Sequence, residues 1–187
     1  MAMRMAQTDW TVEMLDALPD DGNRYEIIDG VLYVTPAPSD VHQLVLGALL
    51  VRLRAYLRPT SIARVVHSPA DIRKPDRQRN RVQPDVFVIR LIDSRRPEYP
   101  FELADLLLVV EVESPSNAAY DHRTKRELYL ANGLEYWIVN PETHTIARWR
   151  GSADAGGLLT ERLEWQPSQM EYPFVLELPV FFEDALG

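Results

Sequence analysis

Leu106-Leu-Leu-Val-Val-Glu-Val112, running on into Glu113-Ser-Pro-Ser116, is the stretch on which the fold turns. Its apolar residues do not alternate with polar ones, which suits a central strand covered on both faces. Strand periodicity puts Glu111 and Glu113 on one face and Val110 and Val112 on the other. Pro115 and Ser116 then stop the strand just where the acids emerge. A carboxylate at the end of such a strand is costly to bury unless a cation compensates it.

Upstream, Asp85-Val-Phe-Val-Ile89 follows Pro84 and reads as a neighbouring strand. Downstream, Asp121 to Ala131 reads as a helix that Asn132-Gly133 stops. It carries Lys125 one turn after Asp121, on the same face. Glu135–Val139 and Thr145–Trp149 follow as strands around an Asn140-Pro141 turn. Toward the N-terminus, Thr8 to Leu18 predicts a short amphipathic helix, with Thr11 as a second possible cap. Arg24–Ile28 and Val31–Thr35 predict a hairpin about Asp29-Gly30, a pair that accepts the positive φ angles of a type I′ turn. Asp40 caps a helix from Val41 to Leu57, Ile62–Ser68 is a strand, and Lys74–Arg81 is an arginine-laden polar loop. The tail holds one strand near Leu158–Leu163. The expectation is a single α/β domain over residues 1–187: a central mixed sheet flanked by helices, preceded by a helix and a hairpin.

Composition narrows the chemistry. The 187 residues include no cysteine, so disulfides, thiolate metal sites and a cysteine nucleophile are excluded. The eight glycines form no phosphate-binding or dinucleotide loop, and no nucleotide cofactor is expected. No signal peptide and no membrane-length apolar run is read, which makes a cytoplasmic protein the expectation. Net charge is −8, yet Arg52–Arg96 carries 12 Lys and Arg against 4 Asp and Glu. That segment is either a phosphate footprint or a solvated loop.

Carboxylates converging at strand ends beside a lysine make a hard-cation site with a positive group next to it. Magnesium takes oxygen ligands and keeps several waters; a metal-bound water is more acidic, and the ion neutralises charge on a scissile phosphate. Phosphodiester hydrolysis is the chemistry such a set suits. The histidines lack zinc-ligand spacing, and Ser114 and Ser116 lack a nucleophile elbow.

Taken in order, Gln83-Pro84-Asp85, Glu111-Val112-Glu113-Ser114-Pro115-Ser116, Asp121 with Lys125 and Tyr129, and Gly133 to Pro141 resemble the Uma-two family of restriction-endonuclease-like proteins, within the PD-(D/E)XK nuclease superfamily. The Arg24–Gly30 hairpin and the Ser39–His42 helix start match as well, so the likeness spans roughly residues 8 to 150. The resemblance implies a restriction-endonuclease fold and a Mg2+-dependent (or Mn2+-dependent) DNA endonuclease. Asp85, Glu111 and Glu113 would be metal ligands, Lys125 the working lysine and Glu26 an accessory acid. The superfamily's lysine normally lies two residues after the second acid, where this chain has Glu113, so Lys125 inherits the role. Glu113 either ligates metal or pairs with Lys125 or Arg126, and Glu26 either joins the cluster or faces solvent. Arg73, Lys74, Arg77, Arg79, Arg81 and His42 are the candidate nucleic-acid contacts. A homodimer is expected, because one site per chain cuts one strand. The alternatives are a catalytically degenerate binding or structural homodimer, and a nuclease acting on RNA or branched DNA.

Overall fold

The computed structural model describes residues 3–4, 9–74, 77–114, 118 and 120–187, apart from the side chains of 3, 4 and 77. The chain opens with β1 (Met3–Arg4) and α1 (Val12–Asp16), followed by the hairpin β2 (Arg24–Ile28) and β3 (Val31–Thr35). Asp29 and Gly30 have φ of 50° and 78°, as the tight turn requires. Next come α2 (Asp40–Leu57), β4 (Ala63–His67), β5 (Ile72–Lys74), β6 (Arg77–Val82), β7 (Val86–Arg90), β8 (Phe101–Glu102) and β9 (Leu106–Val112). A wide π-type turn over Tyr120–Lys125 leads into α3 (Arg126–Ala131). The chain closes with β10 (Glu135–Asn140), β11 (Thr145–Arg150), β12 (Gly157–Leu159), β13 (Arg162–Trp165), β14 (Phe174–Glu177) and α4 (Leu178–Leu186).

Among the described residues the strands form two mixed sheets and a ribbon. One sheet has the order β1-β3-β2-β6-β5-β8, the other β12-β11-β10-β9-β7-β4, and β13 pairs with β14. In the second sheet β9 lies between β10, which is parallel to it, and β7, which is antiparallel. Alternate residues of these strands serve two cores. Val86, Val88, Leu108 and Val110 pack with Val45, Leu49 and Leu53 of α2 and Phe181 and Phe182 of α4. Phe87, Ile89, Val109 and Ile138 face the other way, toward Ile72, Val82 and Phe101 of the first sheet and Tyr129 of α3. Covering on both faces is why β9 reads as an unbroken apolar run.

The structure corrects several expectations. Within Lys74–Arg81, residues 77–81 lie in β6, which pairs with β5 and with β2 through Ile27 opposite Arg81. The polar run tolerates a sheet because neighbouring acids satisfy it: Arg81 binds Asp16 and also lies 3.7 Å from Asp71, and Asn80 Oδ1 accepts the Asp29 N–H at 3.0 Å. The first helix starts at Val12 with Thr11 as its cap, and the cap of α2 is Ser39, whose hydroxyl accepts the His42 N–H. The tail holds three strands and a terminal helix instead of one strand. No helix among the described residues is long and apolar enough to cross a membrane.

Candidate active site

The register that pairs Val86 with Val110 brings Asp85, just before β7, beside Glu111 on β9. The Asp85 N–H donates to Glu111 Oε2 at 3.3 Å, and the Val112 N–H donates to Asp85 Oδ2 at 2.9 Å. Both acids are buried, at 3% and 1% exposure. Arg24, at the head of β2, donates from Nη1 to Asp85 Oδ1 at 2.9 Å, and its side chain keeps 21% exposure. His42, in the first turn of α2, lies with Nε2 2.9 Å from Asp85 Oδ2, while its buried Nδ1 has no hydrogen-bond partner among the described residues. Arg24, Ser39, His42, Asp85, Glu111 and Ser114, with residues 35–38, line a cleft of about 250 Å³.

Behind Glu111 stands Lys125. Its Nζ donates to Glu111 Oε1 at 2.8 Å and lies 3.2 Å from Glu26 Oε2 and 3.7 Å from Asp121 Oδ1. Glu26 Oε1 accepts the Gln83 N–H at 2.8 Å, which ties the first sheet to the strand that carries Asp85. The π-type turn sets Asp121 and Lys125 on one face toward the sheets; such turns are frequent at functional sites.

Four buried carboxylates (Glu26, Asp85, Glu111 and Asp121) therefore face two fixed cations, Arg24 and Lys125. Burial works to raise Asp85, but the His42 hydrogen bond and the Arg24 charge overcome it and hold the carboxyl well below the usual range. Glu111 goes the other way: burial, with the charges of Asp85, Asp121 and Glu26, outweighs Lys125 and raises it well above the usual value. Burial likewise pushes Asp121 up to about 7, against the attraction of Lys125. Burial disfavours the Lys125 ammonium, yet Glu111, Glu26 and Asp121 more than compensate and keep it protonated. Fully ionised, the four acids outnumber the two cations by two, the charge a divalent ion would carry; protons on Glu111 and Asp121 offset the same excess when no ion is bound. The oxygen donors of Asp85 and Glu111 suit a hard ion that retains waters. No group of three His, Asp or Glu side chains among the described residues is by itself arranged to hold a metal.

The family model described as "Putative restriction endonuclease", Uma2, matches residues 12–182. The chain belongs to the Uma2 family. Its fold is shared with a crystal structure of "a putative nuclease belonging to DUF820" from Anabaena variabilis: TM-score 0.72 and 21% sequence identity, covering 95% of this chain and 99% of that one. No curated protein matches the chain.

In this Uma2 chain, four of the residues expected from the sequence come together: Asp85, Glu111, Lys125 and Glu26. Glu26 is fully buried and does not face solvent. Glu113 lies past the end of β9, with Oε2 2.8 Å from His122 Nε2; it pairs with neither Lys125 nor Arg126 there, and it lines an adjoining cleft of about 340 Å³ with Ser39, His42 and Asn140. Of the basic candidates only His42 stands at the site, beside Asp85; the others lie elsewhere. Arg81 is buried against Asp16 and Asp71, Arg73 lies 3.9 Å from Asp71, and Arg79 donates to Asp9 at 3.2 Å. Lys74 ends β5, and the side chain of Arg77, like Pro115 and Ser116, lies outside the described residues. Sequence reading missed Arg24 and left Asp121 out of the site. The signals were present: Arg24 lies two residues before Glu26 on one strand face, and Asp121 lies one turn before Lys125.

Proposed function

We propose that the protein is a Mg2+- or Mn2+-dependent endonuclease that hydrolyses phosphodiester bonds of DNA and acts as a homodimer. The observation that carries this reading is the pair Asp85, just before β7, and Glu111, on the adjacent β9, side by side at the wall of one cleft, with Lys125 held against the far oxygen of Glu111. Asp85 and Glu111 would hold the ion. When bound, it supplies charge neutralisation at the phosphate and a more acidic water.

The chain's own residues do the rest. Lys125 fixes Glu111 Oε1, which directs Oε2 toward Asp85. Since its ammonium is buried, Lys125 acts first as a positioning group for Glu111. Arg24 is the cation at the cleft wall: turned from Asp85 Oδ1 to a non-bridging phosphate oxygen, it frees that carboxylate oxygen and binds the substrate through its guanidinium fork. His42 holds Asp85 Oδ2 in place. In the hydrolysis, a water oxygen bonds to phosphorus, one P–O ester bond breaks, and the leaving oxygen takes a proton.

A second reading, a degenerate binding module, is favoured by one observation: Arg24 already stands on Asp85 where an ion would bind. Calorimetric titration with Mg2+ and Mn2+ separates the two. The nuclease reading expects millimolar or tighter binding in the wild type, lost in Asp85→Ala and Glu111→Ala and kept in Glu113→Gln. A wild type that binds neither ion supports the degenerate module.

A further inference from the structure

The outer face of α2 is apolar where a solvated helix would be polar. Val41, Leu44 and Val51 are 41%, 53% and 67% exposed, and Gly47, Ala48 and the exposed Ala55 fall on the same side at helical spacing. The opposite side of the helix, with Val45, Leu49 and Leu53, is already buried in the core. Beside the C-terminal half of α2 runs a groove of about 570 Å³, lined by Val51, Arg54, Ala55, Leu57 and Arg58 of the α2 end and Arg64 and Val65 of the edge strand β4.

The pattern is symmetric about its middle. Reversed about the midpoint between Gly47 and Ala48, the face maps Leu44 onto Val51, Gly47 onto Ala48, Val41 onto Arg54 and Asp40 onto Ala55. An isologous two-fold contact needs such self-complementarity. The charges obey the same symmetry: exposed Asp40 stands at one end, exposed Arg54 and Arg58 at the other. Antiparallel contact then sets each acid near the partner copy's arginines. The small residues Gly47 and Ala48 at the centre let two helices approach closely, and the projecting Val41 and Leu44 of one copy meet the groove of the other.

We propose that a second copy of this chain docks here, α2 against α2 in antiparallel, forming the homodimer. Because the first turn of α2 also lines the Asp85 cleft, the two clefts fall at opposite ends of the helix pair. At 1.5 Å per residue they lie on the order of 20 Å apart along its axis. The interface stands independently of the nuclease reading, since its readout is mass and not cleavage.

Light scattering on the wild type should give twice the 21.5 kDa chain mass. Leu44→Glu with Val51→Glu should give a monomer whose circular dichroism is unchanged, both side chains being exposed. The chain has no cysteine, so Ala48→Cys places a single thiol beside the two-fold axis. Under mild oxidation it should form a covalent dimer, whereas Leu158→Cys, also single and more exposed on the far edge strand β12, should not. The proposal is overturned by a wild type that stays monomeric at about 100 µM, where an interface of about 800 Å² per partner would have assembled. A dimer that survives the double glutamate variant, or Ala48→Cys cross-linking no faster than Leu158→Cys, also overturns it and moves the interface elsewhere.

Discussion

Lys125 has its ammonium within 3.7 Å of three carboxylates and is almost fully buried. Removing one partner from a buried charge cluster typically costs about 3–5 kcal/mol, because the remaining charges lose their compensation. Lys125→Met should therefore lower the urea midpoint markedly as well as slow any cleavage, whereas a lysine reaching only into solvent would change rate alone. Asp121 gives a pH signature. Its carboxyl titrates near 7 when folded and near 3.8 when unfolded, so in that window the native state holds a proton that the unfolded chain has released. Stability then falls as pH rises from about 4 to about 7. Asp85, held low, acts oppositely: its contribution is present above its unfolded value and is lost at more acid pH. Melting curves in chelator from pH 5 to 8 should show the fall with rising pH, to which Glu111, raised in the same direction, also contributes, and Asp121→Asn should make it shallower.

At the scale of elements, β9, β7 and α2 were readable because local pattern and burial agree: β9 is apolar on both faces, and α2 repeats its core positions at helical spacing. The β5–β6 pair was not readable. Its arginines resemble a loop until the acids that satisfy them, Asp16 and Asp71, are known to be neighbours, and Asp16 is far away in sequence. Tertiary partners overrode propensity there. The β11–β12 connection offers a test of close packing. Gly156 has φ +81°, and a Cβ there would lie 2.0 Å from Trp149 Nε1, the wall of a buried aromatic group with Tyr136. Gly156→Ala should destabilise by about 1–3 kcal/mol through overpacking alone, with backbone strain added. Equilibrium urea unfolding reads this directly, and no loss of stability would mean that the Trp149 ring can move aside.

Across the whole molecule, the candidate cluster is assembled from both sheets, α2 and the turn before α3: Arg24 and Glu26 from the first sheet, Asp85 and Glu111 at the second, His42 from α2 and Lys125 from the π-type turn. Glu111 was legible in the sequence because it breaks the apolar run of β9, Asp85 because it opens a neighbouring strand, and Lys125 because it stands one turn into the following helix; Asp121 was left out of the site. Arg24 and the bond from His42 to Asp85 were not legible, since they depend on how the hairpin and α2 dock 61 and 43 residues away from Asp85. The central claim is that Asp85 and Glu111 together make a metal-dependent nuclease centre. Nicking of supercoiled plasmid in Mg2+ or Mn2+, by wild type and by the near-isosteric Asp85→Asn and Glu111→Gln purified in parallel, tests it most directly. The account predicts nicking by the wild type that stops when the ion is chelated, and background activity from both folded variants. Nicking that persists in either variant, or a wild type that leaves the plasmid intact with either ion, would contradict it.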